Sequence, residues 1–140
     1  MQQLPIQPEP VISSVLSLLV AFLLALPIAW NREKGRRRMG LRTFPLVAMA
    51  SCAYVLIGIA ITGQSPDSLA RIVQGLITGV GFIGGGAILR STEEVRGAST
   101  AAAIWATGAI GAAVALGRYE LAIAVAAMTF LVFLLLTPVR

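Results

Sequence analysis

Long apolar runs alternate with short polar segments along most of this chain. The runs cover residues 11–30, 44–62, 72–89, 98–116 and 121–136, and no Asp, Glu, Lys or Arg interrupts any of them. A helix needs about 20 mostly apolar residues to cross a hydrocarbon layer roughly 30 Å thick, and about 17 where the fit is tight. The pattern therefore predicts an all-α integral membrane protein, a five-helix transmembrane bundle. The first, second and fifth runs are rich in Leu, Ile, Val and Ala, whereas Gly and Ala dilute the third and fourth.

Punctuation between the runs is sparse. Residues 1–10, with Pro5, Pro8 and Pro10, read as a short extended extracytoplasmic leader, and 11–140 as one membrane domain with no soluble domain before or after it. A cleaved signal peptide would start with basic residues. The first ten residues hold no Lys or Arg, so the first run reads as a retained span. Pro45 stands at the start of the second helix, where its missing N–H costs nothing. Gly63-Gln64-Ser65-Pro66-Asp67 reads as a turn, with Ser65 and Asp67 as candidate caps, and Gly117 and Pro138 mark the ends of the fourth and fifth helices. Pro27 is expected to bend or end the first helix.

Charge adds an orientation. Cytoplasmic loops are enriched in Lys and Arg close to the span ends. Arg32, Lys34, Arg36, Arg37, Arg38 and Arg42 lie after the first run, Arg90 and Arg96 after the third, and Arg140 after the fifth, nine cations on one side. The other side has Arg71 and Arg118. Nine against two predicts the N-terminus outside and the C-terminus inside.

Composition agrees: 57% of the 140 residues are hydrophobic and 12% charged, about half the charge of a soluble domain. The net charge of +5 could suggest nucleic acid, but six of the eleven cations fall in the first loop, where the orientation rule accounts for them. No nucleic-acid partner is expected.

Catalytic chemistry finds few candidates. The chain has no His, and all six acids (Glu9, Glu33, Asp67, Glu93, Glu94 and Glu120) lie outside the runs. Ser and Thr hydroxyls have no base to activate them, and Cys52, the only cysteine, falls within the second run as a small apolar residue. Proton- and cation-coupled carriers usually place an acid on the path. Glu93-Glu94 is the one pair that could contribute to a magnesium site, and it reads more simply as a solvated turn. No enzyme activity, cofactor or metal site is expected.

Gly79-Val80-Gly81-Phe82-Ile83-Gly84 matches G-x-G-x-x-G, but inside an apolar helix and without the strand and the later acid that a dinucleotide site requires. Helix packing is the better reading. Gly75, Gly79, Phe82 and Gly86 form one stripe at helical spacing; Gln74, Thr78, Gly81 and Gly85 form the next, with Gly84 nearby. Small residues let helices approach closely in lipid. Ala101, Ala102, Gly108, Ala109 and Ala112 in the fourth span can answer them, so spans three and four are expected to form the tight centre, with Gln74 and Thr78 bonding across helices. At the cytoplasmic interface Arg32, Glu33, Arg42, Arg90 and Arg96 gather at one depth, and an ion-paired cluster joining Glu33 to Arg42 or Arg96 is expected there.

Three blocks in register then resemble the MgtC/SapB family. They are Arg32-Glu33 with Gly40-Leu41-Arg42-Thr43; Gln74-Gly75 with Gly79 to Leu89; and Val95-Arg96-Gly97 with Thr100-Ala101-Ala102, Trp105 and Ala109-Ile110-Gly111. Where the family usually has an acid before the Arg-Glu pair, this chain has Asn31. The resemblance implies a bacterial inner-membrane protein of a family linked to survival in low magnesium and to virulence. Such proteins act on other membrane machinery such as the ATP synthase. The alternative it leaves open is a transporter or channel component for Mg²⁺ or another small solute. Expected partners are the lipid bilayer, a membrane protein and a second copy of the chain.

Overall fold

The computed structural model describes residues 8–33, 40–89 and 97–136. Its five helices are α1 (Pro8–Glu33), α2 (Thr43–Thr62), α3 (Pro66–Leu89), α4 (Ala98–Ala115) and α5 (Tyr119–Leu135). Four of them, α1 to α4, are long and apolar enough to cross a membrane; α5 is the short one at 17 residues, about 25 Å at helical rise. The expected all-α bundle is what forms.

Two helices extend past their expected ends. α1 runs through Pro27 to Glu33, so the proline does not end the helix. In a bundle, neighbouring helices and small local adjustments can satisfy the carbonyl that Pro27 leaves unpaired, and here the ring itself is exposed. The start of α1 at Pro8 takes residues 8–10 out of the expected leader; residues 1–7 lie outside the described part. α3 starts at Pro66, one turn and a half before the apolar run, and so includes Arg71. Proline suits a first helical position, and Asp67 in the first turn complements the positive end of the helix dipole.

Tight turns join the later helices. Gly63 ends α2 with φ 63°, and Gly117 follows α4 with φ 70°, both in the left-handed region that a side chain resists. At Gly117 the turn closes with two backbone bonds: Arg118 N–H to Ala113 O at 2.9 Å and Gly117 N–H to Val114 O at 3.0 Å. That pattern is a Schellman motif. Arg118 and Glu120 then form an exposed ion pair, which holds the Glu120 carboxyl below its ordinary pKa through the Arg118 hydrogen bond.

α4 is the axis of the bundle. It packs against each of the other four helices, whereas among the described residues α3 touches only α2 and α4. Ile28, Phe44, Val55, Ile104, Ile110 and Val114 are fully buried between them. Lipid tails are as apolar as these side chains, so close packing, and not transfer from water, holds the helices together. The closest approach is between α2 and α4. A Cβ on Gly111 would run into the Ala48 carbonyl, with Ser51 Cβ at 2.9 Å. Gly108 meets Val80 at 3.1 Å, and Gly84 meets the Ala101 carbonyl at 3.3 Å.

This revises the expected centre. Spans three and four do touch, through Gly84 and Gly108, but the tightest seam is α2 against α4. A Cβ on Gly75, Gly79, Gly81, Gly85 or Gly86 meets nothing within 4 Å. Thr78 turns its hydroxyl back to the Gln74 carbonyl of its own helix at 3.0 Å instead of bonding across helices. Glycine spacing alone marks both faces of α3, and the branched residues decide which one packs inward. Ile72, Leu76 and Val80 lie on the side that meets α2 and α4.

Candidate functional site

One end of the bundle gathers polar groups from three helices. α1 continues past Trp30 and so delivers Arg32 to the start of α4 and the far end of α5. Nη2 of Arg32 donates to Thr100 Oγ1 at 2.6 Å and to Ser99 Oγ at 3.1 Å. The same guanidinium lies 4.2 Å from the centroid of the Phe133 ring. Thr100 and Phe133 are buried, Arg32 is half-buried and Ser99 is exposed. A planar guanidinium can satisfy hydroxyls at its edge and a ring at its face together, which a lysine cannot.

The Arg32 charge sits among helix ends of both signs. α4 begins at Gly97 with no side-chain cap, and Ser99 and Thr100 occupy its first turn. Helix N-termini carry roughly half a positive charge. Arg32 adds a full one, and the two hydroxyls that accept from it relieve only part of that. The C-terminal ends of α1 and α5, which carry partial negative charge, lie at the same corner, so Arg32 sets its full positive charge between one positive and two negative helix ends. Gly97 itself is fixed by close approach, since a Cβ there would stand 2.8 Å from Ile88 Cα. That contact ties the end of α3 to the same corner.

Glu33, the next residue, does something else. Its Oε2 accepts from the Leu41 N–H at 3.2 Å, folding the end of the first loop back onto α1. A Cβ on Gly40 would fall 2.6 Å from that carboxylate oxygen and 2.9 Å from the Ala29 carbonyl. Of the expected cluster, then, Arg32 and Glu33 lie at this end of the bundle, and so does Arg42, just before α2 and exposed. Among the described residues Glu33 forms no ion pair with Arg42; the main-chain donor delivered by the turn at Gly40 is the partner it finds. Arg90 and Arg96 lie outside the described residues, as do Glu93 and Glu94.

Sequence reasoning missed Ser99, Thr100 and Phe133 as partners of Arg32. Thr100 belongs to the third family-like block, but nothing in its spacing announces a contact with a residue 68 positions away. A second buried hydroxyl is spent locally. The buried Thr107 hydroxyl bonds the Ala103 carbonyl of its own helix at 2.7 Å. Cys52 is fully buried in α2. Among the described residues no three His, Cys, Asp or Glu side chains come together in a way that could hold a metal.

Comparison with known proteins gives the chain its family. The MgtC family model matches residues 18–140. The chain belongs to the MgtC family. It is 41% identical to Protein SrpB of Synechococcus elongatus over 116 residues, covering 74% of this chain and 64% of that protein. Protein MgtC of Salmonella typhimurium is 39% identical over 110 residues, 79% of this chain and 46% of that one. The putative magnesium transporter YhiD of Escherichia coli is 35% identical over 127 residues, 84% and 58% respectively. This MgtC-family chain thus spans between about half and two thirds of these relatives. No solved structure matches it. Together with its long apolar helices, family membership makes it a multi-pass membrane protein of the MgtC type.

Proposed function

We propose that this chain is a non-enzymatic regulator in the bacterial inner membrane, acting by contact with other membrane machinery under magnesium limitation. The observation that carries the reading is the Arg32 corner: a half-buried cation fixed by Ser99, Thr100 and Phe133 on two other helices. So held, it presents one rigid cationic surface instead of a flexible chain. In the orientation that the nine inner cations predict, that surface faces the cytoplasm, with Glu33 and Arg42 at the same end of the bundle. A rigid positive corner suits an acidic segment of a partner protein, of which the ATP synthase is the example the family resemblance offers.

Support also comes from the chemistry of the interior. The whole chain has no His, and its six acids lie outside the five apolar runs. A hydrated divalent ion would cross a path without the carboxylates that such ions favour. Transport remains the competing reading because one relative bears the name of a putative magnesium transporter. Purified protein in proteoliposomes separates the two. The regulator reading expects Mg²⁺ entry no faster than in protein-free vesicles. It also expects crosslinks from the first loop, in native membranes, to a defined membrane complex. Saturable flux abolished by a point substitution in the bundle would overturn it.

A further inference from the structure

The outward face of α3 is unlike those of the helices around it. α1 turns Val15, Leu16, Leu19 and Leu23 outward, and α5 turns Leu131, Val132 and Leu134, all large aliphatic side chains suited to lipid. α3 exposes Ile77 and Ile83 too, but it also turns Gln74, Gly75, Thr78, Gly79 and Gly81 outward, with Phe82 standing among them. Phe82 is 84% exposed, more than any other large apolar residue described. An amide in hydrocarbon finds no solvent to bond. The Gln74 side chain makes no hydrogen bond to any described residue, and Gln74 lies eight residues, about 12 Å, into the helix.

Beside that ridge runs a groove. It lies between α2 and α3, has a volume of about 870 Å³, and includes Gly58, Gly75 and Gly79 among its lining residues. Leu46, Ala50 and Ile83 line it too, and Ile83 follows Phe82 directly in α3. Ridge and groove therefore share one surface and one depth in the membrane.

We propose that α3 packs against α3 of a second copy in a parallel two-fold pair, each Phe82 seated in the other copy's α2–α3 groove. Two copies inserted with the same orientation are related by an axis along the membrane normal, and rotation about that axis preserves depth. A ridge thus meets a groove at its own level, which makes the surface complementary to itself, as a two-fold interface must be. Glycines bare of contacts within the chain let the two backbones come close. An amide is donor and acceptor at once, so Gln74 can be satisfied by its own copy; a lipid tail offers it nothing. The inference stands apart from the regulatory reading, since a pair could serve either a regulator or a transporter.

Single cysteines in a Cys52→Ala background test it in native membranes. Oxidation should link Thr78→Cys or Gln74→Cys into disulfide dimers several-fold more than Leu131→Cys on α5. Energy transfer between donor- and acceptor-labelled protein in vesicles should fall on lipid dilution. Gly79→Leu, which fills the groove, and Phe82→Ala, which removes the ridge, should each weaken association at least tenfold. Because Gly79 meets nothing within the chain and Phe82 projects outward, the melting temperature of the detergent monomer should hold in both. Thr78→Cys linking no better than Leu131→Cys would overturn the proposal, as would association untouched by both variants. Linking of α3 solely to a different membrane protein would overturn it too.

Discussion

Thr100, in the first turn of α4, accepts a 2.6 Å hydrogen bond from Nη2 of Arg32, 68 residues earlier in the chain. The bond joins the last turn of the first helix to the start of the most buried one, and the Phe133 ring closes the corner from α5. Hydrogen bonds from a charged donor contribute about 1.5–3 kcal/mol, and a partly desolvated cation–π contact about 0.5–2 kcal/mol. Arg32→Ala is expected to cost on the order of 2 kcal/mol, read as a lower melting temperature in detergent. Arg32→Lys should recover less than half of that, because an ammonium cannot serve two hydroxyls and a ring face together. Full recovery by lysine would show that charge alone matters at the corner.

A second expectation concerns the return of the first loop. Gly40 lies against Glu33 Oε2 and the Ala29 carbonyl, so Gly40→Ala pushes a methyl group into a backbone oxygen 2.9 Å away. Overpacking of this kind costs about 1–3 kcal/mol. Glu33→Gln should be nearly silent for stability, since its amide oxygen still accepts from Leu41 N–H. Should Glu33→Gln destabilise as much as Gly40→Ala, the carboxylate's charge must be engaged and the main-chain account fails.

The bundle was legible in the sequence because lipid imposes one simple requirement, an uninterrupted apolar run. Its ends were less so. Pro27 reads as a break, yet a membrane helix tolerates it, and Pro66 began α3 before the apolar run because Asp67 and Arg71 can sit in an interfacial turn. The faces of α3 were harder still. Gly84 and Gly85 look alike in sequence, and only the position of Ala101 distinguishes the packed one from the open one. The Arg32 corner depends on a contact across 68 residues, which no spacing rule encodes.

Glycines at the two kinds of surface should therefore respond differently. Gly111→Ala drives a Cβ into the Ala48 carbonyl and close to Ser51, neither of which can move without shifting α2. A loss of about 3 kcal/mol or more is expected, with poor recovery from membranes. Gly84→Leu should also destabilise, by crowding Ala101. Gly81→Ala meets no neighbour in the chain, and alanine favours a helix over glycine by about 1 kcal/mol. Its monomer in detergent should melt at or slightly above the parent temperature. Equal losses at Gly81 and Gly111 would mean that the α2–α4 seam is not where the bundle is tightest.

Orientation rests on charge alone and is open to a direct test. Gln64 lies in the turn between α2 and α3, on the side with few cations, and Arg140 lies beyond α5 on the side with nine. Alkaline phosphatase folds and works only where disulfides form, outside the cytoplasm. A fusion after Gln64 should be active and a fusion after Arg140 inactive. Removing part of the charge should leave the result in place. Replacing Arg36, Arg37 and Arg38 with Gln leaves Arg32, Lys34 and Arg42 in that loop, and six cations in all against two. That balance still favours the same orientation, so activity after Arg140 should rise only slightly. High activity there with none after Gln64, in the unaltered chain, would show that the basic loop faces outward. It would also remove the Arg32 corner from the cytoplasmic surface on which the proposed partner contact depends.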